Sequence, residues 1–115
     1  MTSTNYLGHE IARVHRALKA QFQRMLNPYA LTVQQFEVLR NLKKDQGSTA
    51  AQLVDRILSD SSTMMSILKR LESKKLIIRK LGKEDRRTKL IYSTSKGQEL
   101  VANLTVEAVR YNRHM

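Results

Sequence analysis

Leu7, Ile11, Val14, Leu18, Phe22 and Met25 follow one another at intervals of three or four residues, the spacing that gathers side chains on one face of an α-helix. The pattern predicts a long helix from about residue 6 to residue 26, ended by Asn27-Pro28, because proline cannot continue the helical hydrogen-bond ladder. Thr32 then opens the string TVQQ, a Thr-x-x-Gln capping box in which a hydroxyl and an amide satisfy two free N–H groups at a helix start. Val33, Phe36, Val38, Leu39 and Leu42 are the apolar positions of that second helix, which fades in KKDQGS. A second capping box, TAAQ from Thr49, opens a short third helix with Leu53, Val54, Ile57 and Leu58 on its apolar face and a stop at Ser59-Asp60. Either of those two residues caps the next helix at once, with Met64, Ile67 or Leu68, and Leu71 turned inward.

After Leu76 the period changes from helical to extended. LIIRKL and TKLIYS are rich in β-forming residues and are separated by GKEDRR, which reads as a β-hairpin with a basic tip where Gly82 lets the chain turn. Ser95 is expected to cap a last helix, with Gln98 at the reciprocal position and Leu100, Val101, Leu104 and Ala108 on one face. The order is helix, helix, short helix, tight turn, helix, hairpin, helix. The expected fold class is mainly α with a small β-hairpin, a winged helix-turn-helix with a helix on either side. A length of 115 residues suits a single domain, with the winged unit at about 32–94 and the flanking helices at about 5–27 and 95–115.

Charge sharpens this picture. The chain carries 21 Lys and Arg against 10 Asp and Glu, a formal net charge of +11, which points to an anionic partner such as nucleic acid. Most of the excess lies in one stretch: from Lys69 to Lys96 eleven basic residues face three acidic ones. In a helix-turn-helix reader the second helix enters the major groove, so its outward face needs short polar groups and no negative charge. Ser61, Ser62, Thr63, Met65, Ser66 and Lys69 satisfy that need: hydroxyls for base edges and phosphates, a thioether for a thymine methyl, an ammonium for phosphate or guanine. A wing with a basic tip suits the minor groove, where narrow stretches concentrate negative potential and attract arginine. Arg86 and Arg87 sit at that tip, Asp85 is placed to orient Arg87, and Arg79, Lys80, Lys83 and Lys89 supply phosphate contacts. The competing readings are a solvated charged hairpin that resists edge-to-edge aggregation, a winged helix used for protein contact, and a non-specific DNA binder.

Other chemistry finds little footing. There is no cysteine, which removes disulfides, thiolate metal sites and thiol catalysis within the chain. His9 and His15, six apart, do not share a helical face as zinc ligands do, and His114 stands alone, so no metal or cofactor is expected. Glu84-Asp85 is surrounded by cations on a loop tip, a poor place for a general acid, and no nucleophile has an evident base, so an enzyme is not expected. No apolar run approaches a membrane span, and a cytoplasmic location without membrane contact is the expectation.

The runs LTVQQFEVLRNL, STAAQLVDRI, SSTMMSILKRLESKKLI and KEDRRTKLIYSTSKGQEL resemble the MarR family of winged-helix transcriptional regulators, over about residues 31–100. The most specific part is EDRRTKLIYSTSKG, which is similar to the family's wing signature of Asp-x-Arg, a strand and Thr-x-x-Gly. The resemblance implies a repressor that acts as a homodimer through its N- and C-terminal helices on a pseudo-palindromic operator in double-stranded DNA. It also implies release by a lipophilic or phenolic small-molecule effector. Asp85 and Arg87 match the wing pair, with Arg87 as the minor-groove arginine. The pocket it suggests draws on Tyr6, His9, Arg13, Tyr29 and Phe36, residue types that otherwise read as core. Lys75 stands where members commonly have the glycine that ends the recognition helix, so that helix is expected to end differently or run on. Ser93 replaces a usual leucine and leaves the register of the second wing strand open, and Ser66 a frequent arginine. About twenty residues follow Ser95, fewer than the family usually has, which implies a dimer interface that is smaller or leans more on the first helix, or else a truncated chain.

Overall fold

The computed structural model describes residues 2–113, with side chains described at residues 7–108 and at 110. Contacts divide the chain into two compact units, Met1–Val33 and Gln34–Met115, where the sequence suggested one. The boundary lies near the expected start of the winged unit, and the last helix falls in the second unit.

The first unit is α1 (Thr2–Leu26) followed by a single 3-10 turn, Asn27–Tyr29. Ala30 then adopts a left-handed conformation, φ 55°. The Gln23 side chain holds this turn together. Its Nε2 donates to Asn27 Oδ1 at 3.0 Å and to the Leu31 carbonyl at 2.8 Å, and its Oε1 accepts from the Val33 N–H at 3.2 Å. Val33 is the first residue of α2 (Val33–Arg40), so one of the orphan donors of that helix start is satisfied from α1. The apolar row of α1 is uneven: Leu26 is buried, whereas Leu7, Ile11, Val14 and Leu18 are 59%, 63%, 51% and 48% exposed.

In the second unit the rest of α2 is followed by α3 (Ala50–Ile57), α4 (Ser61–Ser73), the strands β1 (Ile77–Leu81) and β2 (Lys89–Ser93), and α5 (Ser95–Arg113). Its core is built from Phe36, Val38, Leu39, Leu42, Leu53, Met64, Ile67, Leu68, Leu71, Leu76, Ile77, Ile91 and Leu104, all buried. Both Ile67 and Leu68 face inward, so the α4 alternatives resolve to both. The Thr49 capping box forms in full: Thr49 Oγ1 accepts from the Gln52 N–H at 3.1 Å, and Gln52 Oε1 accepts from the Thr49 N–H at 2.9 Å.

Leu58 departs from the periodicity that put it on the apolar face of α3. It takes the left-handed C-cap position at φ 54° and is 93% exposed. The turn into α4 needs that conformation, and rotating the backbone there swings the side chain out. The hairpin is antiparallel, with Ile77 opposite Ser93 and Leu81 opposite Lys89. Ser48 adds an isolated bridge on the free side of β2, exchanging both backbone hydrogen bonds with Ile91 at 2.8 and 3.0 Å. The register of β2 is therefore gripped from both sides, and Ser93, buried at position 93, donates its N–H to the Lys43 carbonyl at 2.9 Å.

One further expectation is corrected, and one pair of alternatives is resolved. The cap of α5 is Thr94, not Ser95: Thr94 Oγ1 accepts from the Gly97 N–H at 3.0 Å and donates to the Lys75 carbonyl at 2.8 Å. The start of the helix is close-packed at Gly97, where a Cβ would collide with the Leu76 carbonyl oxygen and come within 2.9 Å of Ser93 Oγ. At the other end of the same junction, α4 does not run on past Ser73. Lys75 adopts φ 62°, its N–H donates to the Glu72 carbonyl, and the Leu76 N–H donates to the Leu71 carbonyl at 3.0 Å. These are the two bonds of a Schellman stop, made here without glycine.

Candidate nucleic-acid interface

Asp60 sets the start of α4. Its Oδ1 accepts from the Thr63 N–H at 2.7 Å and its Oδ2 from the Thr63 hydroxyl at 2.9 Å. The backbone bond first, and the hydroxyl bond second, hold the Asp60 carboxyl below its ordinary pKa. The Thr63 hydroxyl proton is thus committed to the cap, and Thr63 is half-buried. Ser61, Ser62, Ser66 and Lys69 are exposed, and Met65 is 43% exposed in their midst. The outward face of α4 is then a run of hydroxyls around one thioether, with an ammonium a turn further on.

The hairpin tip is a built turn. The Gly82 N–H donates to the Thr88 carbonyl at 2.8 Å, and the Thr88 N–H to the Asp85 carbonyl at 3.1 Å. The Asp85 carboxylate accepts from the Arg87 N–H at 3.0 Å and from the Thr88 hydroxyl at 3.1 Å. Its distance to Arg87 Nε is 3.9 Å, at a guanidinium that is 97% exposed. Asp85 therefore shapes the backbone beneath Arg87 more than it grips the guanidinium. Gly82 is needed for closeness, not for an unusual φ: a Cβ there would lie 2.8 Å from the Asp85 carbonyl oxygen, and its φ is not positive. Lys83, Glu84 and Arg86 are exposed along the same tip.

Strand alternation divides the remaining cations. Lys80 and Lys89 are exposed, and Lys80 Nζ lies 5.7 Å from the centre of the Tyr92 ring, a cation–π contact across the outer face of the hairpin. That face borders a groove of about 800 Å³ whose walls include Lys44, Ile78, Lys80, Leu90 and Tyr92. Arg79, expected among the phosphate contacts, lies with Lys89 on the opposite face of the hairpin from Lys80. Paired with buried Ile91, it is 16% exposed, and its Nε lies 3.1 Å from Glu72 Oε2. Counting charges along the sequence cannot see which strand face a helix covers.

The effector residues fall on different parts of the chain. The side chain of Tyr6 lies outside the described residues, as does His114. His9 is exposed, Arg13 pairs with Glu10 at 2.7 Å on the surface of α1, and Tyr29 is 40% exposed. Phe36 is a core residue of the second unit, 4% exposed. No three histidine or acidic side chains gather among the described residues, and none of the helices there is long and apolar enough to cross a membrane. The positions that reasoning from the residues passed over are Thr88, Thr94 and Ser48. The first two carry a local signal, Asp-x-x-Thr at the tip and Thr-x-x-Gly at the helix start, whereas Ser48 has none.

Known proteins fit this geometry. The model of the MarR family matches residues 31–88, half of the chain. The transcriptional regulator HosA of Escherichia coli O157:H7 is 26% identical over 102 residues, covering 89% of this chain and 74% of its own. The structure of MepR, a transcription regulator of the Staphylococcus aureus multidrug efflux pump MepA, superposes with a TM-score of 0.85 at 23% identity over 93% of this chain and 79% of that one. Bordetella bronchiseptica BpsR, whose DNA binding is regulated by 6-hydroxynicotinic acid, superposes at 0.78 with 27% identity over 93% and 76%. A basic wing, a hydroxyl-faced helix behind a tight turn, and a match over half of its length together establish that the chain belongs to the MarR family of winged-helix, DNA-binding transcriptional regulators.

Proposed function

We propose that the chain acts as a homodimeric repressor on a pseudo-palindromic operator, with α4 in the major groove and the hairpin tip in the adjacent minor groove. The observation that carries the reading is the pairing, in one compact unit, of the hydroxyl face of α4 with a preshaped tip that exposes Lys83, Arg86 and Arg87. Ser62, Met65, Ser66 and Lys69 read or anchor in the major groove, Arg87 enters the minor groove, and Lys80 and Lys89 meet phosphates. Thr63 serves through the cap it forms with Asp60. Pairing of two chains is supported by α1, whose Leu7, Ile11, Val14 and Leu18 leave an apolar stripe uncovered in one copy. Such a dimer sets two reading helices one turn of DNA apart. Release by a lipophilic or phenolic effector belongs to the same reading, supported by the likeness to BpsR.

The test is fluorescence anisotropy on duplexes from the region upstream of the protein's own coding sequence and on scrambled duplexes of equal composition. A preference of about a thousandfold or more for one site is expected, and Arg87→Ala should cost about 1–3 kcal/mol there. Equal, steeply salt-dependent binding to all duplexes would leave a non-specific binder instead.

A further inference from the structure

A narrow cleft of about 360 Å³ runs between α4 and the hairpin, lined by Lys69, Glu72, Arg79, Lys80, Leu81 and Lys89. Four cations thus surround one carboxylate. Arg79 is the most enclosed of them: its side chain is 16% exposed and its Nε approaches Glu72 Oε2 at 3.1 Å. The Nε–H is nonetheless buried without an acceptor, so the two groups meet as charges and not as a hydrogen bond. Glu72 itself is half-exposed at 48%. A half-solvated ion pair that leaves a donor unmade is a weak tether. An oxyanion offering two oxygens to the planar fork of the guanidinium satisfies it better.

The cleft also lies where such an oxyanion would run. With α4 in one groove and the hairpin tip in the next, the sugar-phosphate strand that divides the grooves has to cross the ground between them. We infer that this cleft is a phosphodiester seat in which Arg79 changes partner: Glu72 holds it in the free protein, and a backbone phosphate takes it in the complex, flanked by Lys69 and Lys89. This rests on the reading of α4 and the wing as the DNA interface. Glu72 acts as a restraining carboxylate. It keeps the fourth cation of the cleft from any passing polyanion and releases it only where the rest of the interface brings a phosphate close.

The experiment compares wild type, Glu72→Gln, Arg79→Met, Arg79→Lys and the Glu72→Gln/Arg79→Met double variant by anisotropy, on upstream and scrambled duplexes, between about 50 and 200 mM salt. Arg79→Met should lower the slope of log K against log salt by about one per winged unit, and Arg79→Lys should retain it. Glu72→Gln should raise affinity for the scrambled duplex by about threefold or more, and that gain should vanish in the double variant. An unchanged slope for Arg79→Met, with a lowered melting temperature, makes the pair a structural contact and overturns the inference. So does a Glu72→Gln gain that persists without Arg79, because a plain change of net charge explains it. Wild-type protein that binds neither duplex at the lowest salt removes the DNA reading and this inference together, whereas binding with unaltered slopes removes the inference alone.

Discussion

Lys75→Gly should make the protein more stable, although it deletes a side chain. Lys75 sits at φ 62°, a region in which a Cβ costs about 1–2 kcal/mol per residue. Its backbone N–H and carbonyl keep their partners, Glu72 and Thr94, whatever the side chain, and the side chain itself is exposed. Against the relieved strain stand about 0.4–1 kcal/mol for the extra freedom of glycine in the unfolded chain, and about 0.3 kcal/mol for the lost positive charge at a helix C-terminus. At the middle of these ranges the net gain is about 0.5 kcal/mol. Lys75→Ala isolates the cause, since it also loses the charge but keeps the strained Cβ. Alanine should therefore fall about 1 kcal/mol below glycine, and Lys75→Asn between them, because asparagine tolerates the left-handed region. Urea unfolding followed by circular dichroism would give the midpoints. Glycine and alanine variants of equal stability would show that position 75 carries no strain and that the Schellman stop is indifferent to its residue.

Gly97→Ala should act in the opposite direction. The added methyl meets the Leu76 carbonyl, Ser93 Oγ and Leu39 Cδ1 at once, an overpacked site expected to cost about 1–3 kcal/mol or more in the same urea assay. The Asp60 cap predicts a pH effect whose sign is set by its lowered pKa. Its contribution is fully present above the unfolded value of about 3.9, and it is lost as the pH falls through the folded value. Asp60→Asn, which still accepts from Thr63, should flatten that part of the acid stability profile while leaving the melting temperature near pH 7 little changed; an unaltered acid profile would refute the assignment.

Where the sequence spoke through local chemistry it was clear. Thr49 and Gln52 announce a capping box and form one, and the switch from helical spacing to LIIRKL and TKLIYS marks the two strands that pair in the hairpin. Failures came where a distant contact or a single dihedral decided. Leu58 continues the apolar period of α3, but the turn into α4 rotates it into solvent. Thr94 and Ser95 are both good caps, and it is Thr94 whose hydroxyl also reaches the Lys75 carbonyl, a contact nineteen positions back. That Arg79 lies beside Ile91 on the face that meets Glu72 is set by strand pairing, which a run of cations does not encode. Of the candidate interface, the exposure of the tip and of the outward row of α4 was legible from residue type and spacing. The bonds that Asp85 makes to the turn, and the bridge from Ser48, depend on three-dimensional approach that spacing does not encode.

The hairpin tip divides its residues by task. Gly82, Asp85 and Thr88 close the turn through their own backbone and side-chain bonds. The exposed side chains of Lys83, Glu84, Arg86 and Arg87 stand on that frame. The frame and the letters displayed on it can thus change independently. On the proposed reading of the tip as a DNA contact, a lineage could rewrite what its wing says to DNA, one exposed position at a time, without passing through a misfolded intermediate, while the three framing residues stay put.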